Sequence, residues 1–306
     1  MAGLALTSHT KAYADQNCGS GSSVATVNNV VGPIVCDGGG TKTLNSSGGS
    51  EIKIDMDRHS REEAAVTVTG PGTNITIIAK KLTVTGSKGS GLPVIKVEKG
   101  GKLTYVSEAT GMIKKEIVVD GSESSVTLKG VLKGFDGVKI NDGGVVVLGE
   151  KVTGIEEVKV GINNGGMVTL MKDVAFNNGT EAGIKIEGSG KASVIGVGRT
   201  MTVKGTRGGI EVEAGAGKID ATVMGLTIKG GSGGMGVSMQ GTGTMELNKV
   251  NVSGFTMGVN AKNGTVKLMG ESTITVANSG TGIMVSGNGA TVSMTQGKIE
   301  GGGGSG

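Results

Sequence analysis

Between about residues 50 and 300, apolar side chains alternate with polar ones in short runs, and each run ends on glycine or another small residue. The segment from Gly209 to Gly230, GIEVEAGAGKIDATVMGLTIKG, shows the pattern three times. Ile210 and Val212 form one run, Ile219, Ala221 and Val223 a second, and Leu226 and Ile228 a third. Period-two alternation puts one set of side chains on one face of a β-strand, so each run predicts a short half-buried strand. No stretch carries a sustained helical period.

The segment recurs. Similar stretches open at Gly183, Gly209, Gly236, Gly258 and Gly282, giving steps of 26, 27, 22 and 24 residues. A unit of this size made only of strand-period runs cannot bury its apolar side alone; stacking the units does so and pairs every strand with its neighbours above and below. The prediction is an all-β, single-domain right-handed parallel β-helix (a solenoid) of roughly ten coils. At about 4.8 Å per coil the rod is about 50 Å long. Variable step length belongs to the corners, because a strand cannot slip register without turning its apolar side outward. Asn164-Gly165, Asn178-Gly179, Asn263-Gly264 and Asn288-Gly289 supply residues that accept positive φ at such corners.

Composition agrees with this and narrows the core. Glycine numbers 61 of 306 residues and proline 3, without a G-X-Y period, so the chain is not collagenous. The recurring Val, Ile, Leu and Met between the glycines argue against simple disorder. With Trp absent, Tyr 2 and Phe 3, the predicted core is aliphatic, with methionine as filler. Met171, Met224, Met239, Met245, Met284 and Met294 sit mostly in alternating runs and are assigned to the core, a Met-rich binding surface being the other reading.

The net charge of +4 is unevenly spread. From residue 80 to 139 eleven lysines face six acids, a local excess of five. Lys80, Lys81, Lys88, Lys114, Lys115, Lys129 and Lys133 are the candidate partner-binding basic surface. A solvated face of mixed charge explains them as well as a docking surface for an acidic partner such as a glycosaminoglycan. Nucleic acid is a poor fit, because aromatics for base stacking are nearly missing.

At the N-terminus, residues 1 to 14 read as the remnant of a secretory signal: Ala12-Tyr13-Ala14 is a small-residue cleavage pattern, although the charged region and most of the apolar region are missing. A chance occurrence in an ordinary tail is the alternative. Cys18 and Cys36, the only cysteines, follow directly. An even number in an exported chain predicts one disulfide, which would clip the first coil; two buried thiols are the alternative. Residues 301 to 306, GGGGSG, read as a flexible linker, and an open last coil near Ile299 suggests that more chain naturally follows. No apolar run is long enough to span a membrane.

Catalytic signals are sparse. Asp55 and Asp57, beside Arg58 and His59, could share a strand face as an acid/base pair, but a charged loop edge explains them too. Gly231 to Gly236 matches G-x-G-x-x-G, yet a strand pattern follows where a nucleotide site needs a helix. Two histidines leave little room for a catalytic triad, and His9 and His59 have no ligand spacing to the cysteines. The reading is therefore of no enzyme, no cofactor and no metal.

Three segments carry a family resemblance: GIEVEAGAGKIDATVMGLTIKG, TMELNKVNVSGFTMGVNAKNGTVKLMGESTITV and VIKVEKGGKLTYV. They resemble the passenger domains of bacterial autotransporters, above all those of Bartonella, over about residues 15 to 300. The signal remnant and paired cysteines fit the same family, whereas its C-terminal translocator barrel is not in this chain. The resemblance implies a secreted, extracellular virulence factor, held at the bacterial surface before release. It further implies a proangiogenic host-receptor ligand, acting as an agonist of vascular endothelial growth factor receptor 2. An adhesin for extracellular matrix or glycosaminoglycan is the alternative, and a polysaccharide-active β-helix enzyme the less favoured one. No family site residue carries over to a numbered position.

Overall fold

The structure is a computed structural model of the whole chain. It describes residues 16–18, 24–46, 51–57, 63–86, 92–107, 115–130, 135–149, 159–176, 181–205, 208–215, 217–231 and 233–301. The expected signal remnant, the 301–306 linker beyond Gly301, and the Asn178-Gly179 corner lie outside those residues.

All described regular structure is β, every strand pairing among the described residues is parallel, and the strands stack into the predicted β-helix. Among the described residues no helix is long and apolar enough to cross a membrane. Three ladders run along the rod. The first stacks Ile34–Cys36, Val66–Thr69, Ile95–Glu98, Lys115–Asp120, Phe135–Asn141, Lys159–Asn163, Ile184–Glu187, Ile210–Val212 and Met235–Met239. The second stacks Gly40–Asn45, Thr73–Ala79, Lys102–Ser107, Ser125–Gly130, Val145–Leu148, Gly166–Leu170, then the first parts of Gly190–Val203 and Lys218–Lys229, then Thr242–Asn248 and Thr265–Met269. The third is in two pieces. Asn29–Val31, Glu51–Asp55 and Lys81–Thr85 form a separate three-stranded sheet. Val174–Phe176 begins the second piece, which continues through the later parts of Gly190–Val203 and Lys218–Lys229. The long strands serve two ladders by bending at a corner, with a register shift between Ile195 and Arg199.

Alternation decides which side chains fill the rod. Ile95, Val97, Ile117, Val119, Ile184 and Ile186 point inward from the first ladder and are buried. Leu103, Val126, Leu128, Val146 and Val168 do the same from the second. The core is mainly aliphatic as expected, but its bulkiest buried side chains are Tyr105, Phe176 and Phe255. Two of these sit under glycines: a Cβ on Gly183 would come within 2.8 Å of the Phe176 ring, and one on Gly230 within 2.6 Å of Phe255.

The glycines that open the repeats have a different role from the turn glycines. Gly165, at φ 89°, supplies the left-handed corner conformation that the Asn-Gly pattern predicts, and Asn164 before it also has positive φ, 56°. Gly209, Gly236 and Gly258 are not among the positive-φ residues. They stack in a column instead. A Cβ on Gly236 would lie 2.7 Å from the Gly258 carbonyl oxygen, and one on Gly258 would lie 2.6 Å from that of Gly282. Glycine recurs there because adjacent coils approach too closely for a side chain.

Hydroxyls secure other corners. Ser272 is fully buried; its Oγ accepts the Val250 N–H at 3.0 Å and donates to the Met269 carbonyl at 2.7 Å. Ser124 accepts the Gly100 N–H at 3.0 Å in the same way. Ser272→Ala leaves the Val250 N–H buried without an acceptor and is expected to destabilise the C-terminal coils by ~1–3 kcal/mol. Urea unfolding of the variant checks this; an unchanged midpoint would show that the hydroxyl contributes no net stability.

Candidate functional site

The basic stretch does not form one patch. Lys81 reaches Glu51 at 3.1 Å on the third side of the rod, in a group with Lys53 and Thr83. Lys80 is exposed at the neighbouring corner. Lys129 lies on the second ladder, in register with Val106, which itself pairs with Ile78. Lys115 begins a first-ladder strand. Lys88, Lys114 and Lys133 lie outside the described residues.

The outward side of the first ladder is a charge-compensated surface. Lys96, Val118, Lys139, Gly161 and Lys185 follow one another in one register row. Beside it run Glu98, Asp120, Asn141, Asn163 and Glu187. Lys96 pairs with Glu98 at 2.7 Å, and Lys185 reaches Glu213 at 3.0 Å and Glu187 at 3.7 Å. Because Gly161 has no side chain, a notch of about 150 Å³ opens there between Lys139 and Lys185.

These pairs set an acid limit to stability. Burial acts to raise the Glu98 carboxyl, but the Lys96 hydrogen bond and the charges of Lys96 and Lys99 outweigh it and hold it below the ordinary 4.5. The hydrogen bond from Lys185 likewise holds Glu213 low, and Glu213 in turn raises Lys185 above 10.5. A depressed carboxylate contributes stability above its unfolded value and loses it as pH falls through the folded one; a raised lysine contributes below its unfolded value and loses it as pH rises through the folded one. The melting temperature is therefore expected to be flat from about pH 5 to about pH 10 and to fall in acid. Each exposed pair accounts for only a few tenths of a kcal/mol. Melting curves of Glu98→Gln/Glu213→Gln should show a shallower acid fall; one as steep as in the parent protein would assign it to other carboxylates.

The second ladder differs. From Gly40–Asn45 through the Val145–Leu148 and Gly166–Leu170 strands to Gly190–Val203, its strands contain lysines but no acidic residue. One outward row reads Thr43, Thr76, Thr104, Thr127, Val147, Thr169, Ile195, Met224. The row beside it includes Lys102, Ser125, Val145, Met167 and Ser193. Ile78, Met171, Val197 and Met224 are 41%, 50%, 67% and 38% exposed on this side. Glu123 and Asp142 stand at the corner with the first ladder. Further along, a hollow of about 430 Å³ lies over Ser193, Thr222 and Ala221. Its acids are engaged: Asp220 with Lys218 and the Thr244 N–H, both at 3.2 Å, and Glu246 with Lys267 at 3.2 Å.

The methionine assignment is thus half corrected. Met239 and Met245 are buried, and Met294 packs partly against the core. Met171, Met224 and Met284 are exposed, because their positions fall on outward or corner slots. Only the register reveals this; the VVVL run at 145–148 and the VIGV run at 194–197 were the sequence signals, since their polar slots hold apolar residues.

Asp55 Oδ1 accepts the Asp57 N–H at 3.0 Å, so that carboxylate closes a turn; Arg58 and His59 lie outside the described residues. Cys18 and Cys36 form the expected disulfide, with Cα atoms 5.1 Å apart. Among the described residues no group of three or more His, Cys, Asp or Glu could hold a metal ion. No protein-family model, curated protein or solved structure matches the chain.

Proposed function

We propose that the chain is a secreted autotransporter passenger that acts as a protein ligand for a host-cell receptor, in keeping with its resemblance to the proangiogenic Bartonella passengers. The observation that carries this reading is the exposure of Ile78, Met171, Val197 and Met224 on one side of a rod whose other described large apolar side chains are mostly buried. Clustered apolar groups at solvent-facing positions favour a protein partner over a polysaccharide. The glycosaminoglycan-adhesin alternative draws less support, because the candidate lysines do not gather into one patch: Lys81 pairs with Glu51 on the third side of the rod, while Lys129 lies on the second ladder.

The test is binding of the purified chain to immobilised ectodomain of vascular endothelial growth factor receptor 2, at low and high salt. Saturable binding that persists at high salt is expected. Retention on heparin together with complete loss of receptor binding in salt would favour the adhesin. No binding at micromolar concentration at either salt would remove this receptor as the partner.

A further inference from the structure

We infer that the outward side of the second ladder, from Thr73–Ala79 to Lys218–Lys229, is the docking surface, and that it fits a protein surface with an apolar centre and carboxylates at its rim. This rests on the receptor-ligand reading and adds the location and the chemistry of the partner. The centre of the face is apolar: Val145 and Val147 meet Met167 and, through Thr169, Ile195 and Met224 in register, with Met171 and Val197 exposed beside them.

The charges specify what can cover it. Lys191 is in register with Asp220 of the next strand, but Lys102 and Lys129, also on this face, have no ion-pair partner among the described residues, whereas Lys96 and Lys185 on the first ladder are both paired. No strand of this ladder from Gly40 to Val203 offers a carboxylate to compensate them. A partner's acids would supply the counter-charges that Lys102 and Lys129 lack on their own strands, which favours encounter and excludes basic surfaces.

Size and stiffness fit the same role. The six coil steps from Thr73–Ala79 to Lys218–Lys229 span about 29 Å at ~4.8 Å each, and strands of four to seven residues make the face ~13–23 Å wide, so it supplies more than half of the ~800 Å² that each partner buries in a standard interface. Every strand here is bonded to both neighbours, so the outward rows are held in place before binding and little ordering remains to be done.

The experiment compares three proteins: the parent chain, Lys102→Glu/Lys129→Glu on the second ladder, and Lys96→Glu/Lys139→Glu on the first. Each is checked by circular dichroism and melting, and Met171→Ser/Val197→Ser serves as a second, uncharged probe of the same face. The readout is binding to the receptor ectodomain named above. The second-ladder variants are expected to bind at least ~10-fold more weakly, the loss of two or three good contacts, while the first-ladder variant changes less than ~2-fold. Equal binding by all folded variants would overturn the docking face and leave the receptor reading standing. If the parent chain does not bind the ectodomain, the receptor reading fails separately, and the same variants are compared on intact endothelial cells. Selective loss there by the second-ladder variants upholds the face with a different acidic partner; uniform binding, or none, overturns it. Sedimentation closes the last route: self-association abolished by the second-ladder variants would assign the face to a second copy and overturn the proposal.

Discussion

Gly236→Ala is expected to destabilise the C-terminal half of the rod by ~1–3 kcal/mol, and Gly236→Val to prevent those coils from forming. The added Cβ would meet the Gly258 carbonyl oxygen at 2.7 Å and also the Val252 side chain. Neither can yield easily. The carbonyl belongs to the next coil of the same column, and Val252 is buried at 1% exposure. Moving either one disturbs the pairing of Met235–Met239 with Asn251–Ala261. In a solenoid each coil leans only on its neighbours, so the damage should be local. Hydrogen exchange followed by mass spectrometry tests this: protection should fall from about Ile210 to Gly301 and stay unchanged around Ile95–Glu98. Gly161→Ala is the control for glycine loss itself, since its Cβ would meet nothing within 4 Å and its φ is not positive. Equal loss in both variants would mean that losing glycine from a strand, and not the close approach of coils, accounts for the effect.

Removing the disulfide is expected to cost the N-terminal end about 3 kcal/mol, the chain-entropy value for a loop of this size. The bond joins Cys18 to Cys36 across a separation of 18 residues. What it secures is slight by itself: Gln16–Asn17 pairs with Ile34–Cys36 over only two positions, at Gln16↔Ile34 and Asn17↔Val35. Without the covalent link the first strand has little to hold it against the ladder, and Ile34 and Cys36 lose their cover. Cys18→Ser/Cys36→Ser should therefore open the first coil while leaving Lys218–Lys229 and beyond protected. An unchanged exchange pattern at residues 24–46 would show that pairing and packing alone secure that end.

Much of the architecture was legible because both of its causes are periodic. Alternation at Ile210/Val212, Ile219/Ala221/Val223 and Leu226/Ile228 marks three strands and their inward faces, and the structure buries all seven side chains. The recurrence of the segment implies stacking, since no single coil encloses a core. The openings at Gly183, Gly209, Gly236, Gly258 and Gly282 also mark true equivalents, although the physical reason for most of them is contact between coils and not turn conformation. The candidate docking face was not legible. Lys80 to Lys139 are neighbours along the chain, but each coil distributes its lysines among different sides, so linear density of charge does not predict a patch.

By itself, the sequence determined that the chain is all-β, repeats in coils and buries Val, Ile and Leu from alternating slots, while for its two cysteines it left a disulfide and two buried thiols both open. The properties it determined depend on neighbours a few residues apart and on the need of every coil to cover its apolar side; the disulfide between Cys18 and Cys36 was decided by the structure. The tertiary structure decided which outward rows face the same way. Register places Val147 beside Thr169 and Thr169 beside Ile195, and it sets Lys96 with Glu98 while leaving Lys102 and Lys129 on strands without carboxylates. The physical reason is that a rod's surface is assembled from residues some twenty positions apart, at spacings the corners alone determine, and corner lengths are not written in the alternation of the strands.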